Sequence, residues 1–381
     1  MDHKRVEINI LTSVHRAVDI RIFHKQAASL ARAGYQVKLF AQEHPDASIM
    51  ARQYNITYVP LLSIDKRRQR GKVWLNLMEL LKQMPGDIWH FHDPELLPLT
   101  IIWKKMFAQH VSLIYDVHED MPLQVLSKEW IPTSLRKATA QIAGRVEKRF
   151  SNYVQAIVTA TPDIANNFVH DNKVVVHNHP FLPKHSKESD ILPYLERDPI
   201  VVYTGGLTKM QGIFEMLSTI DLLPESLKVK FHVAGKYDPS NLMDQLVTTS
   251  GWKHTHYHGV INRDEVMELM NKARVGLIID HPIPNYIRSL STKMFEYMSA
   301  GIPIIASNFP LWASIVNKYQ CGLLVDPYNP QDVADAILWI LEHPDEAMAM
   351  GKRGQKAILE EYNWERESNR LLGLYEAIIS Q

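Results

Sequence analysis

The stretch Ile200-Val201-Val202-Tyr203-Thr204-Gly205-Gly206-Leu207 decides the fold. A run of β-branched and aromatic residues passes at once into a glycine pair, then Lys209, Gln211, Gly212 and a helix-period segment. This reads as strand, tight turn and helix. In an open parallel sheet, ligands bind just beyond the carboxyl ends of the strands. The glycines let backbone N–H groups approach an anion at the helix start, although a plain tight turn asks for no more than a lone Gly-Gly.

The same alternation extends to both sides. Downstream, Val229 to Ala234, Val275 to Ile279, Ile302 to Ala306 and Leu323 to Val325 read as strands with helices between them. Upstream, Ile8 to Leu11 is a strand. Arg21 to Ala33 follows as a helix with Phe23, Ala27 and Leu30 on one face and Gly34 just past its end. Gln36 to Ala41, Ile88 to Phe91, Leu113 to Val117 and Ile157 to Thr159 are further strands, and Trp74, Leu77, Met78 and Leu81 form a helical stripe. Such alternation implies right-handed crossovers and parallel sheets. Between Phe181 and Pro199 the pattern lapses into Pro, Lys, Ser, Glu and Asp. The expectation is an α/β protein of two doubly wound, Rossmann-like domains, residues 1–182 and 200–364, joined by a linker at 183–199 and facing across a cleft.

At 381 residues, with 46% hydrophobic and 22% charged residues, the chain is long enough for two cores and general disorder is excluded. Lys plus Arg and Asp plus Glu each number 42, so bulk electrostatics do not point to nucleic acid. Cys321 is the only cysteine, which excludes an intrachain disulfide and suits a reducing compartment. Met1 to Val6 lacks the apolar core of a signal peptide, and no apolar run approaches the roughly 20 residues that span a bilayer. A cytoplasmic protein is expected.

Polar residues directly after strand patterns are the candidates for chemistry. Arg288-Ser289-Leu290-Ser291-Thr292-Lys293-Met294-Phe295-Glu296 places a helix start near Ser291 or Thr292, with free N–H groups beside Lys293 and a carboxylate one turn on. There Glu296 can accept both hydroxyls of a ribose while the helix end holds phosphates. A capped helix with a surface Glu is the bland alternative. Tyr115-Asp116-Val117-His118-Glu119-Asp120 ends a strand, and His118 there can bind a sugar hydroxyl, orient a reacting group, or make a merely structural hydrogen bond. His90-Phe91-His92-Asp93 invites a metal, but two histidines on one strand face are no site without further ligands, so no metal is expected. The first βα turn carries His15, Asp19 and Arg21 and lacks Gly-x-Gly-x-x-Gly, so no nicotinamide or flavin cofactor is expected. With Asp93 and Glu119 these residues are acceptor-side candidates, or solvated turn residues. Lys66, Arg67, Arg68, Arg70 and Lys72, beside a helix with Trp74 and Leu77, mark either a peripheral membrane contact at the inner face or a solvated loop.

Ser291-Thr292-Lys293-Met294-Phe295-Glu296-Tyr297-Met298-Ser299-Ala300-Gly301-Ile302-Pro303-Ile304-Ile305-Ala306-Ser307, with Cys321-Gly322-Leu323-Leu324-Val325-Asp326-Pro327, resembles the family-four class of retaining GT-B glycosyltransferases. Asp116-Val117-His118-Glu119-Asp120 and Asp19-Ile20-Arg21 are similar to a branch that builds bacterial surface polysaccharides. The resemblance implies a nucleotide-sugar donor as substrate, a glycan or lipid-linked acceptor, and no metal. It implies that Glu296 holds the ribose, that Ser291 to Lys293 bind the diphosphate together with Gly205, Gly206, Lys209, Gln211, Ser289 and Leu290, and that His118 stands beside the donor sugar. It also implies that the final helix, about Glu365 to Ile379, crosses back onto the first domain. This sequence departs from the family twice. The first acid of its Glu-x7-Glu pair falls on Arg288, and its two cations fall on Gly206 and Gln211. Lys209, Lys293 or Arg288 takes over that charge, or the chain is a degenerate subunit that binds a nucleotide sugar or a partner enzyme.

Overall fold

Strand and helix alternate from Glu7 to Ile379 in the structure, a computed structural model that describes residues 6–61, 70–84, 86–126, 128, 131–182 and 192–380, with the backbone alone for 70–76. The chain forms two units, Met1–Asn178 with Trp364–Gln381, and His179–Asn363.

In the first unit β1 (Glu7–Arg16), β2 (Gln36–Gln42), β3 (Ile56–Leu61), β4 (Ile88–Phe91), β5 (Ser112–Val117), β6 (Ala156–Thr159) and β7 (Lys173–Val175) form one sheet in the order β3-β2-β1-β4-β5-β6-β7. Every pairing is parallel. Because β1 lies between β2 and β4, the winding reverses there, and the ends of β1 and β4 flank the switch point of the sheet. Trp89 stacks on Phe40 with ring centres 5.1 Å apart and meets Trp103 edge-on at 5.7 Å, which fills one face of the sheet.

The helix expected from Arg21 opens instead as a π-helical segment, Ile20–Ala27, and continues as an α-helix over Ala28–Arg32. The Asp19 carboxylate caps it, accepting from the N–H groups of Arg21 (2.8 Å) and Ile22 (2.9 Å). Phe23, Ala27 and Leu30 are all buried, as their spacing predicts. The last helix, Trp364–Ile379, also packs in this unit: Trp364 Nε1 donates to Ser29 Oγ at 2.9 Å, and the Tyr375 hydroxyl meets His90 Nδ1 at 2.6 Å.

The second unit holds β8 (Ile200–Thr204), β9 (Lys230–Ala234), β10 (Thr255–Tyr257), β11 (Val275–Ile278), β12 (Ile304–Ser307) and β13 (Gly322–Val325), all parallel, in the order β10-β9-β8-β11-β12-β13. Its switch point lies between β8 and β11. Gly212, at φ +71°, seats the turn after β8 against the end of β11, where a Cβ would come 2.0 Å from the Ile279 carbonyl oxygen.

Sequence reading passed over β3, β7 and β10. All three are edge strands with exposed and half-exposed residues, short of the full burial that marks the central strands. Of the expected linker, 183–191 lies outside the described residues. From Leu192 on the chain is docked: the Tyr194 hydroxyl donates to Arg274 O at 2.8 Å and Arg197 Nη1 to Ala273 O at 3.0 Å. Lys66, Arg67 and Arg68 also lie outside the described residues, as do the side chains of Arg70, Lys72 and Trp74. Among the described residues, no helix is long and apolar enough to cross a membrane.

Candidate functional site

At the switch point of the second unit β8 runs into Gly205, whose φ of +147° a side chain rarely adopts. A Cβ there would lie 3.2 Å from Lys293 Cδ and 3.6 Å from its Nζ, so the glycine lets the lysine lie along the turn. Lys293 is the second residue of the helix Thr292–Ser299 and is 9% exposed. That helix is tied to β8 where the Thr204 N–H donates to the Tyr297 hydroxyl at 3.0 Å. The Lys293 ammonium stands 3.8 Å from Asp280 Oδ1 and 5.3 Å from the centre of the Tyr203 ring. With its amide turned as its neighbours require, Gln211 accepts from Lys293 Nζ at 3.3 Å and donates to Gly206 O. Four expected donor-side residues, Gly205, Gly206, Gln211 and Lys293, thus meet at one half-buried turn.

The other donor-side candidates are more dispersed. Ser291 precedes the helix without a side-chain cap bond, and Thr292 is exposed, so the first N–H groups of the helix have no intrahelical acceptor. Glu296 is half-buried one turn further on. The Ser289 carbonyl accepts from Trp312 Nε1 at 2.7 Å, and Leu290 packs against the core. Arg288 is exposed at the end of the short helix Pro284–Ile287 and makes no ion pair among the described residues. Lys209 is exposed too, its ammonium 5.7 Å from the centre of the Phe214 ring.

Asp280, beside Lys293, is a candidate that sequence reading missed, although a polar residue just after the β11 pattern was a signal. It is 4% exposed and its Oδ1 makes no hydrogen bond. Burial holds its carboxyl above the usual range, against the opposing pull of Lys293 and His281. Lys293 is therefore a buried cation with a weak partner, a charge that a phosphate oxygen could take up.

In the first unit the ends of β1 and β4 converge on Asp93, which is 2% exposed. Its Oδ2 accepts from Thr12 Oγ1 (2.9 Å), from Ser13 N (2.5 Å) and Oγ (3.1 Å), and from Val14 N (3.3 Å). Its Oδ1 stands 3.1 Å from His15 Nδ1. Burial alone would raise this carboxyl, yet the bonds from His15, Ser13 and Thr12 hold it below the usual range. Burial likewise opposes the charged form of His15, but the Asp93 contact wins and raises the imidazole. His15 Nε2 meets His118 Nε2 at 3.1 Å, so Asp93, His15 and His118 form a chain of ionisable groups.

Asp116, at the end of β5, is fully buried and is the hub of a second web that sequence reading did not anticipate. Arg21 Nη2 reaches both its oxygens, at 2.9 and 3.2 Å, and Gln26 Nε2 donates to Oδ2. His90 Nε2 (3.6 Å), His92 Nδ1 (3.7 Å) and His118 Nδ1 (3.9 Å) surround it. Burial would raise the Asp116 carboxyl, but the Arg21 charge and the histidines hold it well below the usual range. Burial keeps His92 well below the usual imidazole range. Ligand atoms of His90, His92 and Asp116 lie within 4.8 Å of one another, the spacing a metal would use. The guanidinium already grips both carboxylate oxygens, however, so a second cation would be repelled.

Two acceptor-side candidates make structural contacts. Arg21 is neither solvated nor at the surface: it is 5% exposed, and its Nη1 donates to Val176 O at 2.9 Å. Asp19 caps the following helix. His15 remains half-buried beside His118, and Glu119 is exposed, accepting from Gln124 Nε2.

Residues 21–179 match the family model "Glycosyltransferase Family 4", and residues 185–357 match "Glycosyl transferases group 1". Two doubly wound parallel units of this kind define the GT-B class of fold. The chain is a GT-B-fold glycosyltransferase related to nucleotide-sugar-dependent transferases. It is 20% identical over 320 residues to an MMP alpha-(1->4)-mannosyltransferase of Mycolicibacterium hassiacum, covering 81% of this chain and 75% of that protein. It is 24% identical to spore coat protein SA of Bacillus subtilis over 46% of this chain and 48% of that one. Among solved structures, sucrose-phosphate synthase from Thermosynechococcus elongatus superposes with a TM-score of 0.75 at 17% identity, covering 99% of this chain and all (100%) of that one. Anabaena HepE in complex with UDP gives 0.73 at 13% identity over 98% of this chain and 100% of the other.

Proposed function

We propose that this protein is a retaining, metal-independent glycosyltransferase that moves a hexose from a nucleotide-sugar donor to a glycan or lipid-linked acceptor in surface polysaccharide synthesis, on the cytoplasmic side of the membrane. The reading is carried by the buried Lys293 ammonium laid against the Gly205–Gly206 turn at the second switch point. The Anabaena relative's complex with UDP supports a nucleotide donor, and the mannosyltransferase relative supports a hexose.

On this reading the donor diphosphate takes Lys293 from Asp280 and accepts from the free N–H groups at the start of the helix Thr292–Ser299, while Glu296 receives the ribose hydroxyls. The acceptor oxygen bonds to the anomeric carbon on the face from which the diphosphate leaves. The carbon–phosphate-oxygen bond breaks, and the acceptor proton passes to the departing phosphate. Charge developing on that phosphate is stabilised by donors already in place, the largest single term in many enzymes. His118, whose Nε2 meets that of His15, is the first unit's candidate for acting on the donor sugar. The neutral residues Gly206 and Gln211 favour one rival reading, a degenerate subunit that binds the donor without transfer.

The test is donor turnover with a lipid-linked acceptor, with and without EDTA. Transfer that survives chelation is expected. Transfer lost in EDTA and restored by manganese would overturn metal independence, and tight donor binding without any transfer would favour the degenerate subunit.

A further inference from the structure

The helix Thr133–Ser151 is nineteen residues long, yet it buries only Ala140, Gly144, Glu147 and Ser151, one narrow stripe. At 100° per residue, Leu135, Ile142 and Val146 fall together on nearly the opposite side. They are 55%, 60% and 45% exposed. Arg145 and Arg149 flank them, and Lys137 and Lys148 are exposed as well. On a chain with no net charge this is a local concentration of cations around an apolar stripe, the composition of a helix that meets an anionic lipid interface.

The inner face of the same helix walls a cavity of about 380 Å³. That lies within the roughly 300–1,000 Å³ of small-molecule sites. Val117, Met121, Pro122, Leu126, Ile164 and Phe168 give it apolar walls, with the carboxylates of Glu119, Asp120 and Glu147 also in its lining. Lys137, Arg145 and Lys148 also border it. The cavity begins at the end of β5, where Val117 and Glu119 line it on either side of His118 in sequence.

We propose that this cavity binds the hydrocarbon chain of an anionic lipid, with the lipid phosphate held by Lys137, Arg145 and Lys148. An apolar chain matches the walls and a phosphate matches the rim cations. The lipid is either a bilayer lipid or the carrier of the acceptor; the second source rests on the transfer reading above, and the binding site itself does not.

The experiment is calorimetry of the full chain with n-decyl phosphate below its micelle-forming concentration, beside n-decanol and inorganic phosphate. Decyl phosphate is expected to bind at least tenfold more tightly than either. Leu126→Glu, which puts a charge at the apolar wall, and Arg145→Glu, on the surface, are each expected to weaken it tenfold or more, with unchanged circular dichroism. Equal affinity for decyl phosphate and inorganic phosphate would overturn the proposal, as would a Leu126→Glu variant that binds like the wild type. Vesicle co-sedimentation separates the sources. A carrier lipid predicts that Leu126→Glu still binds phosphatidylglycerol vesicles while Ile142→Glu does not. A bilayer lipid in the cavity predicts that both lose them. Vesicle binding unaffected by either variant would remove this helix from the lipid surface. All these readouts are binding measurements, so a chain that binds decyl phosphate but transfers no sugar would refute the transfer reading alone.

Discussion

Asp116, at the end of β5, is gripped by Arg21 through both oxygens, bonded by Gln26 and ringed by three imidazoles. Asp280, just past the end of β11, has one ammonium 3.8 Å away and an oxygen with no hydrogen bond. Both are buried carboxylates near the carboxyl end of a parallel strand, Asp116 in the last pleat of β5 and Asp280 two residues past β11. The first is saturated and the second is not. A saturated buried charge has little to offer a ligand and much to lose if broken. An undersupplied one leaves its cation available. By this criterion the second unit holds a cation with a weak partner, and the first is built around a fully paired carboxylate with the half-buried His15 and His118 at its margin.

Breaking the saturated web is expected to have the largest effect. Arg21→Met leaves Asp116 charged in a site with no exposure, and about 3–5 kcal/mol of stability should be lost. Urea unfolding measures this, and a loss under 1 kcal/mol would mean the web is not what orders this unit.

Removing the weakly partnered cation should act on chemistry instead. Lys293→Met is expected to lower kcat by about 10²–10³ while the unfolding midpoint stays within the range of ordinary point variants. A kcat within twofold of wild type would erase the contrast. Arg288→Ala, at an exposed position outside any ion pair among the described residues, should cost far less than Lys293→Met, and a larger loss would put the compensating charge on Arg288.

A third test concerns Glu147, a buried carboxyl that accepts from the Tyr115 hydroxyl at 2.7 Å. Burial, only partly offset by that bond, pushes it from 4.5 up to about 7. Because the folded value is raised, the folded state loses stability as pH rises from about 4.5 through 7, by about 3 kcal/mol when complete. Glu147→Gln keeps an acceptor for Tyr115 and removes the titration. The variant should match wild type near pH 4 and exceed it by up to that amount at pH 8, and parallel stability profiles would show that the carboxyl is not shifted.

The smallest expected effect is that of Glu296→Ala, which should weaken nucleoside diphosphate binding by about 1.5–3 kcal/mol, the worth of a charge-assisted contact. Unchanged affinity by calorimetry would take Glu296 out of the site.

Local pattern was enough for the two doubly wound sheets. Runs such as Ile88 to Phe91 and Val275 to Ile278 are buried throughout because both their faces are covered, and Gly205 and Gly212 mark turns that no other residue enters easily. Pattern was also enough to nominate Lys293, Gln211, His118 and His15, since polar residues just after strands stand where ligands reach a parallel sheet. It could not rank them. Arg21 and Asp116 are 95 positions apart, Asp280 and Lys293 belong to different elements, and Tyr375 meets His90 across 285 residues. Whether a charge is matched or left wanting depends on burial and on partners brought from elsewhere in the chain. Sequence spacing carries neither quantity beyond a turn or two, so only the tertiary structure told a fully paired arginine from a lysine with one distant carboxylate.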